Sequence, residues 1–203
     1  MRLLPVLLLA ILPMLSGCGV VQSVQPLSSP RAAVADKRLA GLWEEKDGKD
    51  SRMYLYFSFA ADGHGTLMMF GTDPKTGLGQ IKYDFFVTPA GKGGYLNLSH
   101  ETEEGTGQTG FFKPDGDNYF FVKYRNNWMG QLEYWPVAGD AVGKAVDSHM
   151  LRGRTVYDQK HQLYTNIYLT DSSRHILDFL ETSKLAQTLW ATEPTKLNWV
   201  GGP

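Results

Sequence analysis

Cysteine is almost missing from this 203-residue chain: Cys18 is the only one. A disulfide framework needs pairs, so none holds this fold together. A long apolar run is missing too. Leu3 to Leu15 is shorter than the roughly 20 residues a helix needs to cross a bilayer. Pro5 and Pro13 also make it a poor spanning helix. An excess of one charge is lacking as well: Lys and Arg total 20, Asp and Glu 21, for a formal net charge of −1. Removing residues 1–17 takes away only Arg2 and leaves −2. Such a chain offers no electrostatic case for binding nucleic acid or anionic headgroups. There is no internal repeat.

The usual catalytic signatures are absent too. No G-x-S-x-G elbow occurs. The histidines, His64, His100, His149, His161 and His175, contain no H-E-x-x-H pair. His100 stands beside Glu101, Glu103 and Glu104, an arrangement read as solvated loop charge before a metal site. Gly105 to Gly110 spells G-x-G-x-x-G, but the dinucleotide mechanism needs a helix N-terminus after it. Phe111-Phe112-Lys113-Pro114 follows instead. Asp115-Gly116-Asp117-Asn118 lacks the length and final Glu of a calcium loop and reads as a turn. No cofactor, metal site or catalytic residue is therefore expected. A hydrolase whose site assembles from scattered residues stays as the least favoured alternative.

What is present begins with Met1-Arg2, the apolar run, and Leu15-Ser16-Gly17-Cys18. A positive start, an apolar segment of signal length and small residues before a lone cysteine form a coherent set. The set resembles a bacterial lipoprotein signal ending in a lipobox. The resemblance implies cleavage before Cys18 and acyl chains on that residue. At about 0.8 kcal/mol per buried CH₂, two or three such chains hold a domain firmly on a membrane. It also implies a cell-envelope location. Gly19, in place of the Asp that retains lipoproteins at the inner membrane, favours the periplasmic face of the outer membrane in a diderm cell. Residues 1–17 thus read as signal, 18–35 as lipidated Cys and flexible tether, and 36–203 as one β-rich domain.

Within that domain the polar–apolar period is two. Met53, Leu55, Phe57 and Phe59 alternate with Tyr54, Tyr56 and Ser58. Gln80 to Thr88 puts Ile81, Tyr83, Phe85 and Val87 on one face. Further strands are expected at 66–70, 95–100, 119–124, 131–137 and 163–169, with Glu101 to Gly107 as a loop. Turn residues separate them. Near the end the period lengthens. Asp140 to Leu151 reads as a short helix, with Val142, Val146 and Met150 on one side. Ile176, Leu177, Phe179 and Leu180 follow Asp171 and Ser172, which can cap a helix. The stripe shifts phase before Leu185 and Leu189, so one bent helix or two short ones are expected. The fold class is mainly β with C-terminal α: an antiparallel meander forming a lipocalin-like barrel or a sandwich, packed by one or two short helices.

Leu39-Ala40-Gly41-Leu42-Trp43 opens the first strand of this domain. Gly41-x-Trp43 resembles the Gly-x-Trp that opens the lipocalin barrel. The resemblance implies that Gly41 and Trp43 cap one barrel end or line an apolar ligand site. A core Trp closing a filled barrel is the simpler reading, because side chains usually fill small barrels. A possible binding surface is formed by Tyr54, Tyr56, Tyr124, Trp128, Tyr134 and Trp135, since aromatics favour interfaces. The leading functional expectation is a lipid-anchored, non-enzymatic binding or structural module. Its partners would be the membrane, through the lipid, and an envelope protein. The alternative is a lipocalin-like carrier of a small apolar ligand.

Overall fold

A computed structural model describes residues 19–47, 51–73, 77–104, 116–183, 185, 188–190 and 193–202. Among these residues eleven strands run in chain order: β1 (Val20–Ser23), β2 (Gly41–Asp47), β3 (Ser51–Phe59), β4 (Gly65–Asp73), β5 (Gly77–Ala90), β6 (Gly93–Glu104), β7 (Phe120–Asn126), β8 (Leu132–Pro136), β9 (Gly153–Asp158), β10 (Leu163–Leu169) and β11 (Thr195–Gly201). Two helices, α1 (Gly139–Asp147) and α2 (Ser173–Thr182), lie between β8 and β11. Strands β2 to β8 form an antiparallel meander, and β11 pairs with both β8 and β2 to close it. The result is a closed eight-stranded barrel. Closure leaves the barrel without a free edge.

Alternation decides which side chains fill it. Met53, Leu55 and Phe57 point inward from β3, while Tyr54 and Tyr56 point outward. All four residues expected on one face of β5, Ile81, Tyr83, Phe85 and Val87, belong to the interior cluster. Leu39, Trp43, Leu67, Leu96, Leu98, Phe120, Tyr124, Leu132 and Leu197 complete it.

A second core lies outside the barrel wall. Tyr95 of β6 and Phe121 of β7 face outward and pack with Val142, Ile167, Ile176 and Leu189. Here β9, β10 and β1 form a three-stranded sheet in which β1 runs parallel to β10. In α1, Val142, Ala145 and Val146 make the buried stripe. In α2 it is Ile176, Phe179 and Leu180, and the Ser172 hydroxyl caps the helix by accepting from the His175 amide at 3.3 Å.

The segment read as a flexible tether is part of this fold. Val20–Ser23 is a strand, and Val21, Gln22, Ser23 and Leu27 are buried. The buried Asn97 side chain accepts from the Leu27 amide at 2.7 Å and donates to Thr88 Oγ1 at 2.9 Å. His64 reaches the Pro30 carbonyl at 3.1 Å. The domain therefore begins before residue 36. Two valines followed by Gln22 and Ser23 are too few to show a strand period, so composition alone points to a linker.

Other differences are local. Glu101 to Glu104 extend β6 instead of opening a loop. Residues 105–115, including the G-x-G-x-x-G text match and Asp115, lie outside the described residues. Helix α1 ends at Asp147, leaving Met150 exposed beyond it. Strand β10 carries a bulge between Tyr164 and Asn166. The bulge shifts the phase, so Tyr164, and neither Leu163 nor Thr165, joins Ile167 and Leu169 in the core. After α2, the Thr188 and Leu189 amides both bond the Leu185 carbonyl, a single turn.

Candidate functional site at the Trp43 end of the barrel

Gly41 begins β2 with φ +121°, and the Trp199 ring lies against it. A Cβ at this position would come within 2.3 Å of that ring and 2.6 Å of the Gly201 carbonyl. Glycine is thus required twice over, by backbone conformation and by space. Trp43 follows, 3 % exposed, with its indole N–H donating to the Leu39 carbonyl at 2.8 Å. Its ring meets Trp199 edge-on, centroids 5.1 Å apart. Leu39 is fully buried beneath. Together Leu39, Trp43 and Trp199 plug this end of the barrel.

Tyr124 strengthens the plug from inside. It is buried, and its hydroxyl donates to Asp36 Oδ2 at 2.8 Å. Burial, then the Asp36 carboxylate, pushes its pKa far above the ordinary phenol value. Asp36 also holds Arg38 at 2.7 Å. Burial raises the Asp36 pKa, but the hydrogen bonds from Arg38 and Tyr124 outweigh it and hold the carboxyl below its ordinary range.

The β7–β8 turn projects from the same end. Asn127 organises it: its Oδ1 accepts from the Met129 and Gln131 amides at 2.9 and 3.0 Å. Its Nδ2 donates to Gln131 Oε1 and Glu133 Oε1, both at 3.1 Å. Gly130 adopts φ +76° to complete the turn. Glu133 is buried and takes Arg125 Nε at 2.6 Å. Its pKa would rise by burial, yet Arg125 and Asn127 bring it below the ordinary value. Arg125 in turn sits 5.1 Å from the Trp135 ring centre. Gln131 donates to Asn198 Oδ1 at 2.9 Å, tying the turn to β11. On this hydrogen-bonded base Trp128 is 92 % exposed, with Met129 exposed beside it. Across the Gln131–Asn198 bond stand the half-exposed Trp199 and Val200.

A cleft of about 350 Å³ adjoins the base. Arg125, Trp135, Lys92, Lys123, Trp190 and Glu181 line it. Lys123 Nζ lies 5.2 Å from the Trp190 ring centre. Tyr95 donates to Glu181, and burial followed by this bond raises the Tyr95 pKa strongly. Lys92 and Lys123 make no ion pair among the described residues. The cleft thus joins aromatic walls to available cations, a chemistry for acidic or aromatic side chains. A larger groove, about 590 Å³, runs over the outer wall beside His64, Asp84, Phe86, Ser99 and Tyr119. Among the described residues it holds no comparable cluster of charges.

The aromatic residues expected to share one surface are distributed differently. Tyr54 and Tyr56 stand on the outer β3 wall, where Tyr54 stacks on Phe70 at 5.4 Å and bonds Glu44 at 3.2 Å. Tyr124 and Tyr134 point into the barrel, Tyr134 reaching Glu45 Oε2 at 3.2 Å. Trp128 and Trp135 belong to the outer part of this site, bridged by Asn127, Glu133 and Arg125, while Tyr124 belongs to the plug beneath it. The sequence does not single out Trp190 and Trp199, because nothing in it shows that 190–200 returns to the barrel, nor Lys92 and Lys123, which only the pairing of β6 with β7 brings together. Cys18 lies outside the described residues. Among the described residues no three His, Cys, Asp or Glu side chains gather as metal ligands, and no helix is long and apolar enough to cross a membrane. No family model, curated protein or solved structure matches the chain.

Proposed function

We propose that this is a lipid-anchored cell-envelope protein whose barrel is a non-enzymatic docking module, with Trp128 and Met129 as its contact residues. The observation that carries the reading is the Trp128 hairpin. An indole almost wholly in water, on a turn fixed by five side-chain hydrogen bonds, costs the free protein favourable burial. A partner that covers it recovers that burial with little ordering entropy, because the turn is already rigid. Met129 adds an adaptable apolar contact. The cleft of Lys92, Lys123 and Arg125 favours a partner that brings acidic groups. The interior also supports docking over carriage of an apolar ligand: from Leu39 to Tyr83 it is packed with side chains.

The anchor half of the reading rests on Leu15-Ser16-Gly17-Cys18. Mass spectrometry of the mature N-terminus tests it, with an acylated Cys18 expected and an unmodified Cys18 refuting it. The docking half is tested by a photo-crosslinking amino acid at position 128 in cells, compared with the same group at Tyr56. A discrete adduct from 128 alone is expected. Equal or absent crosslinking at both positions refutes it.

A further inference from the structure

We infer that the β9–β10 hairpin is the face that this protein lays on the phospholipid surface, held there by an anchor with no tether. The inference rests on the proposed acylation of Cys18. Gly19, the next residue, is buried in the fold. A Cβ on it would lie 2.8 Å from both the Tyr164 carbonyl and Ile167 Cδ1. One on Gly139 would lie 2.3 Å from the Gly19 carbonyl. The chain is therefore clamped one peptide after the acylated residue, and consecutive Cα atoms are only about 3.8 Å apart.

The register sets the direction. Strand β1 runs parallel to β10 with Val20 opposite Asn166. Going backward from Gly19 leads toward the start of β10 and the turn that joins it to β9. The headgroup layer of one leaflet is roughly 5–8 Å deep, half the difference between total and hydrocarbon thickness. Acyl chains that leave the body at this point bring the hairpin into that layer.

The hairpin suits the position. Tyr157 is 47 % exposed and meets Tyr164 edge-on at 5.0 Å. Such an aromatic, apolar in its ring and polar at its tip, is at home at a bilayer interface. Val156 beside it is exposed as well. Lys160 is exposed and free of ion pairs among the described residues, available to a lipid phosphate. The remaining charges nearly balance: Asp158 pairs with His161 at 2.7 Å, Asp147 bonds Tyr164, and Arg154 covers Tyr168. A zwitterionic surface therefore fits, without a requirement for anionic lipid. The small sheet becomes the membrane-side layer. It packs on the β6–β7 wall, so β3, four strands round the barrel, faces away.

The test uses the acylated full chain in phosphatidylcholine–phosphatidylethanolamine vesicles that contain brominated lipid. In that protein the Cys18 sulfur is a thioether, so Lys160→Cys supplies the single free thiol for a fluorophore. Arg52→Cys on β3 is the control. We expect several-fold stronger quenching at 160 than at 52, and loss of the difference when a long Gly/Ser spacer is inserted between Cys18 and Gly19. Equal quenching at both sites, or quenching at 160 that survives the spacer, overturns the inference while leaving the anchor in place. A mature protein without acyl chains on Cys18 overturns the anchor and this orientation together.

Discussion

Trp43→Ala tests the plug most directly. The side chain is buried, its N–H bonds the Leu39 carbonyl, and its ring meets Trp199. Truncating a buried Trp to Ala costs about 3–5 kcal/mol through lost transfer energy and the cavity left behind. The site has little freedom to collapse, because Gly41 and Trp199 are already in contact and Leu39 is fully buried. The Leu39 carbonyl also loses its donor, a further term of roughly 1 kcal/mol. We therefore expect a loss near the top of the range, about 4–5 kcal/mol. For a domain of this size each kcal/mol lowers the melting temperature by about 2–4 °C, giving a fall of roughly 8–20 °C. Urea unfolding followed by far-ultraviolet circular dichroism measures it without relying on tryptophan emission. An unchanged m-value shows that stability moved and not compactness. Trp43→Phe keeps a ring and loses the N–H, and is expected to cost clearly less. A loss under about 1 kcal/mol for Trp43→Ala refutes the plug. If apolar-probe binding vanished at the same time, Trp43 would instead line a ligand site.

Three further outcomes follow from the same geometry. Trp128→Ala should change stability by no more than about 0.5 kcal/mol while abolishing docking; a large drop in melting temperature would make Trp128 structural. Asp171, 1 % exposed, accepts from the Arg152 and Ser172 amides, the Arg152 guanidinium and His175 at 2.8–3.3 Å, so Asp171→Asn should cost about 1.5–3 kcal/mol. Burial would raise the Asp171 pKa, but these bonds win and hold it well below the ordinary value. The stabilisation is thus present above the unfolded value of about 3.9 and lost as pH falls through the folded one. The gap between wild type and Asp171→Asn in urea should accordingly narrow on acidification, and a gap that widens refutes the assignment. Deleting residues 195–203 removes β11, whose Leu197 is fully buried between β8 and β2. The opened barrel should aggregate or melt without cooperativity, and a soluble, cooperative truncation would show that β11 does not close it.

The barrel strands with a clear period of two are legible in the order of the residues alone. In β3 and β5 one face must be apolar for any barrel to form, so Leu55, Phe57, Ile81, Tyr83, Phe85 and Val87 declared their burial before any contact was known. Helix α2 is legible in the same way, because Ser172 and the spacing of Ile176, Phe179 and Leu180 are local facts about one helix. Tertiary structure decided what depends on distant partners. Strand β11 alternates poorly, with Trp199 and Val200 both half-exposed, and becomes a strand because β8 and β2 each present an open edge to it. Strand β1 is too short to carry a period and is held by β10, and the chain just after it by the bond from the Leu27 amide to Asn97. Gly41 and Trp43 were legible as a pair, but the reason for the glycine, the Trp199 ring from the far end of the chain, was not. The candidate site has the same character. Trp128 and Trp135 were visible as aromatics, whereas Tyr124 and Tyr134, identical in kind, were turned inward by a strand phase that only closure of the barrel fixed. Lys92, Lys123 and Trp190 meet at one cleft because the β5–β6 turn, β7 and the chain after α2 converge there, and nothing in their sequence neighbourhoods encodes that meeting.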